Sequence, residues 1–313
     1  MSRLLLIIDV SHDKVTVSGF DILRFRPVYV AHYSLMEFCD IRTVLQHHFR
    51  QGSSSVYETC CIVCDAIYSD EWIIPVHNSQ MRLSVSELKT QAGIDKICFL
   101  SPSEALAFSS QIKDDGDLQL LTSPDNMGIN PIRITAEIRD RFSCSLLTAK
   151  ETGDRGYTDR IICDEPLLTT DDEALNGFMH RYGNGALLNE RGLVLLYGYS
   201  CARNNIRADY QTYCDVLSGS PGNDEPVRKA AMSTYFTLLS NFFLQVRQRV
   251  CANEQDAAFV IYTTQPDLFA VNFRQYTSAI SDSNPAYSVY VNLSETPRLY
   301  GAARLAVSSK LCQ

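Results

Sequence analysis

The order of strand-like and helix-like runs in the first hundred residues narrows the fold more than any other feature of this chain. Leu4 to Val10, Lys14 to Asp21 and Arg26 to Tyr33 are three strand-like runs separated by short polar turns, which predicts an antiparallel meander. A helix is expected next. Asp40 is placed to cap it, Ile41, Val44, Leu45 and Phe49 fall at helical spacing, and Gly52 stops it. Cys60 to Asp65 and Glu71 to Val76 read as further strands. Ser84-Val-Ser-Glu87 is a capping box for a helix that closes near Gly93, Ile97 to Leu100 reads as a strand, and a helix runs from about Ser103 to Ile112.

Lys113 to Asn130 is rich in Asp, Gly and Ser, breaks the periodicity and is expected to carry the crossing between two domains. A second cycle then begins with a hairpin of Pro131 to Glu137 and Phe142 to Lys150, followed by helices over Asp171 to Tyr182 and roughly Arg191 to Arg203. Leu217 to Asp224 reads as a loop, and Pro226 as the first-turn proline of a long helix reaching about Ala252. Strand Ala258 to Thr263, helix Pro266 to Ile280, strand Tyr287 to Asn292 and helix Pro297 to Val307 complete the chain. The two cycles share an order of elements without a close sequence repeat, and that order is similar to a ribonuclease-H-like half domain. A length of 313 residues accommodates two domains of ordinary size.

Composition excludes several classes. A 45% hydrophobic, 20% charged chain is globular rather than disordered. A net charge of -8 with scattered basic residues argues against nucleic-acid binding. Leu4 to Ile8 is too short to span a membrane, and Asp9 ends it before any signal-peptide pattern, so no membrane insertion is expected and a cytoplasmic location is. The 11 cysteines are then expected to be reduced and mostly small core residues. Cys60, Cys61 and Cys64 carry a Cys-x-x-Cys spacing, but no second ligand pair follows, and the run reads as a buried strand. His47-His48, with no further ligand at helical spacing, reads as a surface pair. Phe236, Leu239, Phe243 and Val246 read as core, and an exposed part of their helix is a candidate dimer or partner face.

Several segments resemble bacterial glucokinases of the actin-like sugar-kinase superfamily, in the family's order and spacing. Leu6-Ile-Ile-Asp-Val10 is similar to its opening strand, Trp72 to Lys89 to its hairpin and following helix, and Cys98 to Phe108 to the segment bearing its catalytic aspartate. Gly192 to Tyr197 and Tyr300-Gly-Ala-Ala-Arg304 resemble two of its later helices. The resemblance implies an α/β fold of two ribonuclease-H-like (actin-like ATPase) domains with a cleft between them. The division expected is residues 1–112 with about 298–313, and 113–297.

A sugar kinase of this kind needs a base near the attacking hydroxyl, glycine-rich turns around the triphosphate, a magnesium site and polar groups for the sugar. Where the resemblance implies two glycines after the first aspartate, this chain has Asp9 and then Val10-Ser-His-Asp-Lys14, a degenerate phosphate turn retaining Asp9, Ser11 and Lys14, with Asp13 adding negative charge. The implied base falls at Ser101-Pro102, and proline accepts no proton. Glu104 and Glu165 are the fallback carboxylates. The second phosphate turn corresponds to Ala136 to Phe142 and holds no glycine. There Arg139 and Arg141, beside Glu137 and Asp140, read as a solvated hairpin. The sugar clamp falls near Cys163 to Leu167 and keeps only Asp164 or Glu165, and another sugar-contacting glutamate registers near Gly185. The next glycine-rich turn, near the adenosine side, becomes Asn189 to Gly192, and the late glycine pair after a strand is replaced by Tyr262 to Gln265.

These losses lead to the expectation of a catalytically inactive glucokinase-like protein, a pseudokinase working as an interaction, scaffold or regulatory subunit. It would have no catalytic residue, cofactor or metal, and a protein partner or a second copy as its ligand. The losses also weigh against sugar binding. Two alternatives stay open. One is an ATP-dependent and magnesium-dependent hexose kinase using Glu104 or Glu165 as base and Lys14 on phosphate. The other is a sensor that binds sugar or nucleotide without turnover.

Overall fold

In the computed structural model the described residues are 4–308 without 12, 39, 52–55, 70, 77–81, 111–116, 124–131, 140, 150–154, 159–166, 169, 220–223, 251–256 and 282–286. The chain divides into two compact units, residues 1–112 with 295–313, and residues 113–294.

The first unit begins with β1 (Leu4–Val10), β2 (Lys14–Asp21) and β3 (Arg26–Ser34). The short helix α1 (Leu35–Phe38) and α2 (Ile41–Arg50) follow. Asp40 caps α2 by accepting a hydrogen bond from the Thr43 N–H at 2.6 Å, and α2 buries Ile41, Val44, Leu45 and His48. Next come β4 (Tyr57–Val63), the small strands β5 (Ala66–Tyr68), β6 (Trp72–Pro75) and β7 (Leu83–Ser84), then α3 (Val85–Ala92), β8 (Lys96–Leu100) and α4 (Pro102–Ser109). Ser84 caps α3 by accepting from the Glu87 N–H, and Gly93, at φ 65°, supplies the left-handed residue that closes it.

Among the described residues the strand order is β3-β2-β1-β4-β8, with β1, β2 and β3 antiparallel and β1, β4 and β8 parallel. β1 lies centrally, and its two faces enter different cores. Leu4, Leu6 and Ile8 pack with Val44, Leu45 and Leu88, while Leu5 and Ile7 pack with Ala105 and the final helix.

The second unit repeats that order. Its strands are β9 (Leu118–Thr122), β10 (Ile132–Glu137), β11 (Ser143–Ala149) and β12 (Arg155–Thr158). Helices α5 (Glu173–Tyr182), α6 (Asn184–Leu187), α7 (Glu190–Arg203), α8 (Tyr213–Ser218) and α9 (Glu225–Val250) come next. They are followed by β13 (Ala257–Tyr262), α10 (Pro266–Ser281) and β14 (Tyr287–Asn292). β12-β11-β10 are antiparallel, β10-β13-β14 parallel, and β9 closes the sheet antiparallel to β14. β13 is buried along its whole length, and Phe236, Leu239, Phe243 and Val246 of α9 belong to the core around it. The last helix, α11 (Pro297–Ser308), returns to the first unit, where Leu299, Ala302, Ala303 and Ala306 lie against Leu5, Ile7 and Cys61.

Five expectations are corrected. The crossing segment holds strand β9, because Leu118 to Thr122 finds the edge of β14 despite its polar neighbours. The loop expected over 217–224 begins inside a helix, since Thr212 and Asp215 form a reciprocal capping box that opens α8, and Leu217 is buried. His48 is not a surface residue. It is buried at the α2–sheet contact, where its two ring nitrogens meet the Tyr29 hydroxyl at 3.1 Å and the Tyr33 hydroxyl at 2.8 Å. The turn expected as a solvated hairpin holds Ile138, which is fully buried in the core of the second unit. Finally, Cys61 and Cys98 form a disulfide, because the parallel register of β4 and β8 sets them directly opposite with Cα atoms 4.8 Å apart. Cys60, Cys64, Cys144 and Cys201 are buried free thiols.

Candidate functional site

In open sheets of this kind ligands gather at the carboxyl ends of the parallel strands. In the first unit those ends are Asp9 and Val10 of β1, Val63 of β4 with Cys64 just beyond it, and Leu100 of β8 with Ser101 just beyond it, held side by side by the pairings of Asp9 with Val63 and of Val63 with Leu100. The strand ends thus bring together Asp9 and Ser101-Pro102, two of the positions singled out in the sequence.

Asp9 is mostly buried and faces a cation from the same unit. Arg298, the second residue of α11, places Nη1 3.6 Å from the Asp9 Oδ1, and both side chains are largely shielded from water. A positive residue in the first turn of a helix is unfavourable toward the dipole unless a carboxylate compensates it, and that is the one signal by which the sequence could have pointed to Arg298. Ser11 and Lys14 close a tight turn through the Ser11 N–H and the Lys14 carbonyl at 2.9 Å, and the Lys14 side chain is exposed.

Ser101 and Pro102 serve the start of α4. Ser101 accepts the Glu104 N–H at 3.1 Å, and Pro102 takes the first helical position, where its missing N–H is not needed. Tyr68 approaches the same strand ends. Its hydroxyl donates to the Cys64 carbonyl and lies 3.3 Å from the Leu100 carbonyl, while its ring stacks on Phe99 with centroids 4.6 Å apart. Burial, with Cys64, Asp65 and Glu104 nearby, raises the Tyr68 hydroxyl above its ordinary value, so it stays protonated. Burial first, and then the charges of Asp9 and Asp65, push the Cys64 thiol up to about 12. Neither group therefore supplies an anionic base or nucleophile at neutral pH. Glu104 is half-buried at the start of α4, and Asp164 and Glu165 lie outside the described residues.

In the second unit three turns meet at Glu190, the first residue of α7. The Glu190 N–H donates to the Ile138 carbonyl at 2.6 Å, and the Ile138 N–H donates to the Tyr262 carbonyl at 3.0 Å. The Glu190 carboxylate then reaches the turn after β13. Its Oε1 accepts from the Thr263 hydroxyl at 2.8 Å and the Thr264 N–H at 2.6 Å, and its Oε2 accepts from the Thr264 hydroxyl at 2.7 Å. Asn189, one residue earlier, caps α7 by accepting from Gly192 N–H at 2.8 Å. The segments at the second phosphate turn, the adenosine-side turn and the late glycine pair of the glucokinase resemblance are therefore joined to one another at a single carboxylate residue, Glu190.

Arg139 is half-buried, Arg141 exposed and Glu137 half-buried, while Asp140 lies outside the described residues; Gly185 lies within α6. Among the described residues no group of three His, Cys, Asp or Glu side chains is placed to hold a metal ion, and no helix is long and apolar enough to cross a membrane. Sequence reasoning missed Tyr68, Arg298 and the Glu190–Thr263–Thr264 contact. Each depends on a partner far away in the chain.

No protein-family model matches the sequence, and no curated protein matches it. Solved structures do match. A glucokinase from an Antarctic psychrotroph superposes with a TM-score of 0.75 at 14% identity, covering 97% of this chain and 98% of that one. Glucokinase from Balamuthia mandrillaris in complex with glucose gives 0.69 at 12% identity, over 98% and 94%. A ROK-family transcriptional regulator, a homolog of the E. coli MLC protein, gives 0.59 at 9% identity, over 98% of this chain and 78% of that one. The chain thus has the two-domain actin-like α/β fold of glucokinases and ROK-family sugar kinases over nearly its whole length.

Proposed function

We propose that this chain is a catalytically inactive protein of sugar-kinase fold that acts through contacts with other proteins. The observation that carries the reading is the Glu190 junction. A nucleotide bound as in the resembling family needs backbone N–H groups and cations turned toward its phosphates. Here, in the turn that replaces the family's late glycine pair, the Glu190 carboxylate takes the Thr264 N–H and both threonine hydroxyls, so these three donors are already engaged and the carboxylate's charge repels phosphate.

The residues do not fit magnesium ATP in the first unit either. Asp9 would have to give up the Arg298 guanidinium to meet a magnesium ion, and the base position holds Pro102. Glu104 remains as a carboxylate without the glycine-rich turns that would bring a phosphate to it. A transcriptional regulator of similar fold is precedent for this architecture in a protein named for regulation rather than catalysis.

The test is a coupled assay for glucose 6-phosphate with purified protein, alongside thermal denaturation with millimolar magnesium ATP and glucose. No turnover and an unmoved melting midpoint are expected. Sustained phosphorylation, reduced by Glu104→Gln or Glu165→Gln, would overturn the reading and revive the rearranged kinase.

A further inference from the structure

The small antiparallel sheet of the first unit has one buried and one bare face. The register pairs Ala66 with Pro75, Ile67 with Ile74, Tyr68 with Ile73 and Leu83 with Ile73. Alternation turns Ala66, Tyr68, Ile73, Pro75 and Leu83 inward, and Ile67, Trp72, Ile74 and Val76 outward. On the outer face Ile67 is 66% exposed, Val76 56% and Trp72 40%. Single exposed apolar residues are ordinary, but a contiguous group containing the chain's one tryptophan is an interaction surface by its composition.

Charge selects the occupant. Exposed carboxylates stand at both ends of the hairpin, Asp65 beside Val76 at the open end and Glu71 at the turn, while Arg82 lies on the flank just before β7. A second copy laid face to face in either direction sets carboxylate against carboxylate, and an anionic lipid surface meets the same repulsion. Five residue steps of strand separate the two acidic ends, roughly 17 Å, which an α-helix spans in about 11 residues.

We infer that the outer face of the β5–β6 hairpin docks an amphipathic helix of a partner protein, about three turns long, with an apolar stripe over Ile67, Trp72 and Val76 and a basic residue toward each end. The inference rests on the proposed role in protein contacts and names the partner's chemistry.

Trp72 makes the test direct, because it is the one source of tryptophan fluorescence in the full chain. The probe is a synthetic helical peptide of roughly 14 residues with Leu and Phe at helical spacing and Lys at both ends. Expected is a saturable shift of Trp72 emission to shorter wavelength, absent with the same peptide carrying Glu for Lys. Ile67→Asp and Val76→Asp add negative charge, so mere electrostatic adsorption would strengthen, whereas docking on the apolar face would weaken by about tenfold or more. Should either variant fail to fold, Glu71→Lys on the intact apolar face is expected to weaken the Lys peptide and admit the Glu peptide. Unchanged or tighter binding by the aspartate variants overturns the proposal. So does an emission shift that follows protein concentration alone, or one produced by anionic vesicles. Kinase turnover would sink the role in protein contacts, whereas failure of the peptide alone would remove only this surface.

Discussion

His48 is held as a neutral ring between two tyrosine hydroxyls, with Tyr29 also bonded to Tyr57 at 2.6 Å. Burial, and then the neighbouring His47, lower its affinity for a proton below the ordinary 6.5. In the unfolded chain the same ring titrates near 6.5, so on acidification the unfolded state takes up its proton first. The contribution of His48 is therefore complete above 6.5 and is lost as pH falls through the folded value. Urea midpoints measured from pH 7.5 down to 5 are expected to decline, with a shallower decline for His48→Gln. An identical slope in the variant would contradict this. Arg298→Ala tests the other residue-scale contact. Removing the guanidinium from beside a mostly buried carboxylate is expected to cost about 1–3 kcal/mol, seen as a lowered urea midpoint, and Asp9→Asn in that background should recover part of it. The sequence made Asp9 legible as a strand-end carboxylate. It did not reveal that the charge is answered by a residue almost three hundred positions away.

Helices α4 and α11 approach each other closely. A Cβ built on Gly301 would lie 1.7 Å from the Ala105 carbonyl oxygen, so the two helices meet backbone to backbone. Gly301→Ala is expected to force them apart and to lower stability by about 1–3 kcal/mol, read as a drop in melting temperature. Ser101→Ala at the cap of α4 should cost about 1 kcal/mol by the same measurement. Most elements were legible because their signals are local: Asp40 and Ser84 as caps, Gly93 as a stop, and the helical spacing of Ile41, Val44, Leu45 and Phe49. β9 and α8 were not. β9 is a short run among polar residues whose strand character comes from pairing with β14, and α8 is six residues long, set by the Thr212–Asp215 cap rather than by a long apolar stripe. Ile138 escaped notice for a similar reason, since its burial depends on α7 and β13 and not on its charged neighbours.

For the molecule as a whole, the return of α11 means that the first unit is built from both ends of the chain. A chain ended at Ser294 would leave Leu5, Ile7 and Cys61 without Leu299, Ala302, Ala303 and Ala306. Hydrogen exchange is expected to show protection lost in β1, β4 and β8 and kept in β13, whose partners all lie within residues 113–294. Ligand response belongs to this scale too. A nucleotide present at a hundred times its dissociation constant would stabilise the folded chain by about 2.7 kcal/mol, a shift too large to miss, so an unmoved midpoint in millimolar magnesium ATP carries weight. The sequence by itself determined the repeated order of strands and helices, the caps, the opening strand-like run and the absence of glycines from the phosphate turns, because periodicity, capping and backbone freedom are written in neighbouring residues. Only the tertiary structure decided that Asp9 meets Arg298, that Glu190 ties three turns together, that Cys61 meets Cys98 and that Trp72 faces outward. Each of those is a pairing or an exposure created when distant segments are brought within a few ångströms, and local pattern carries no record of it.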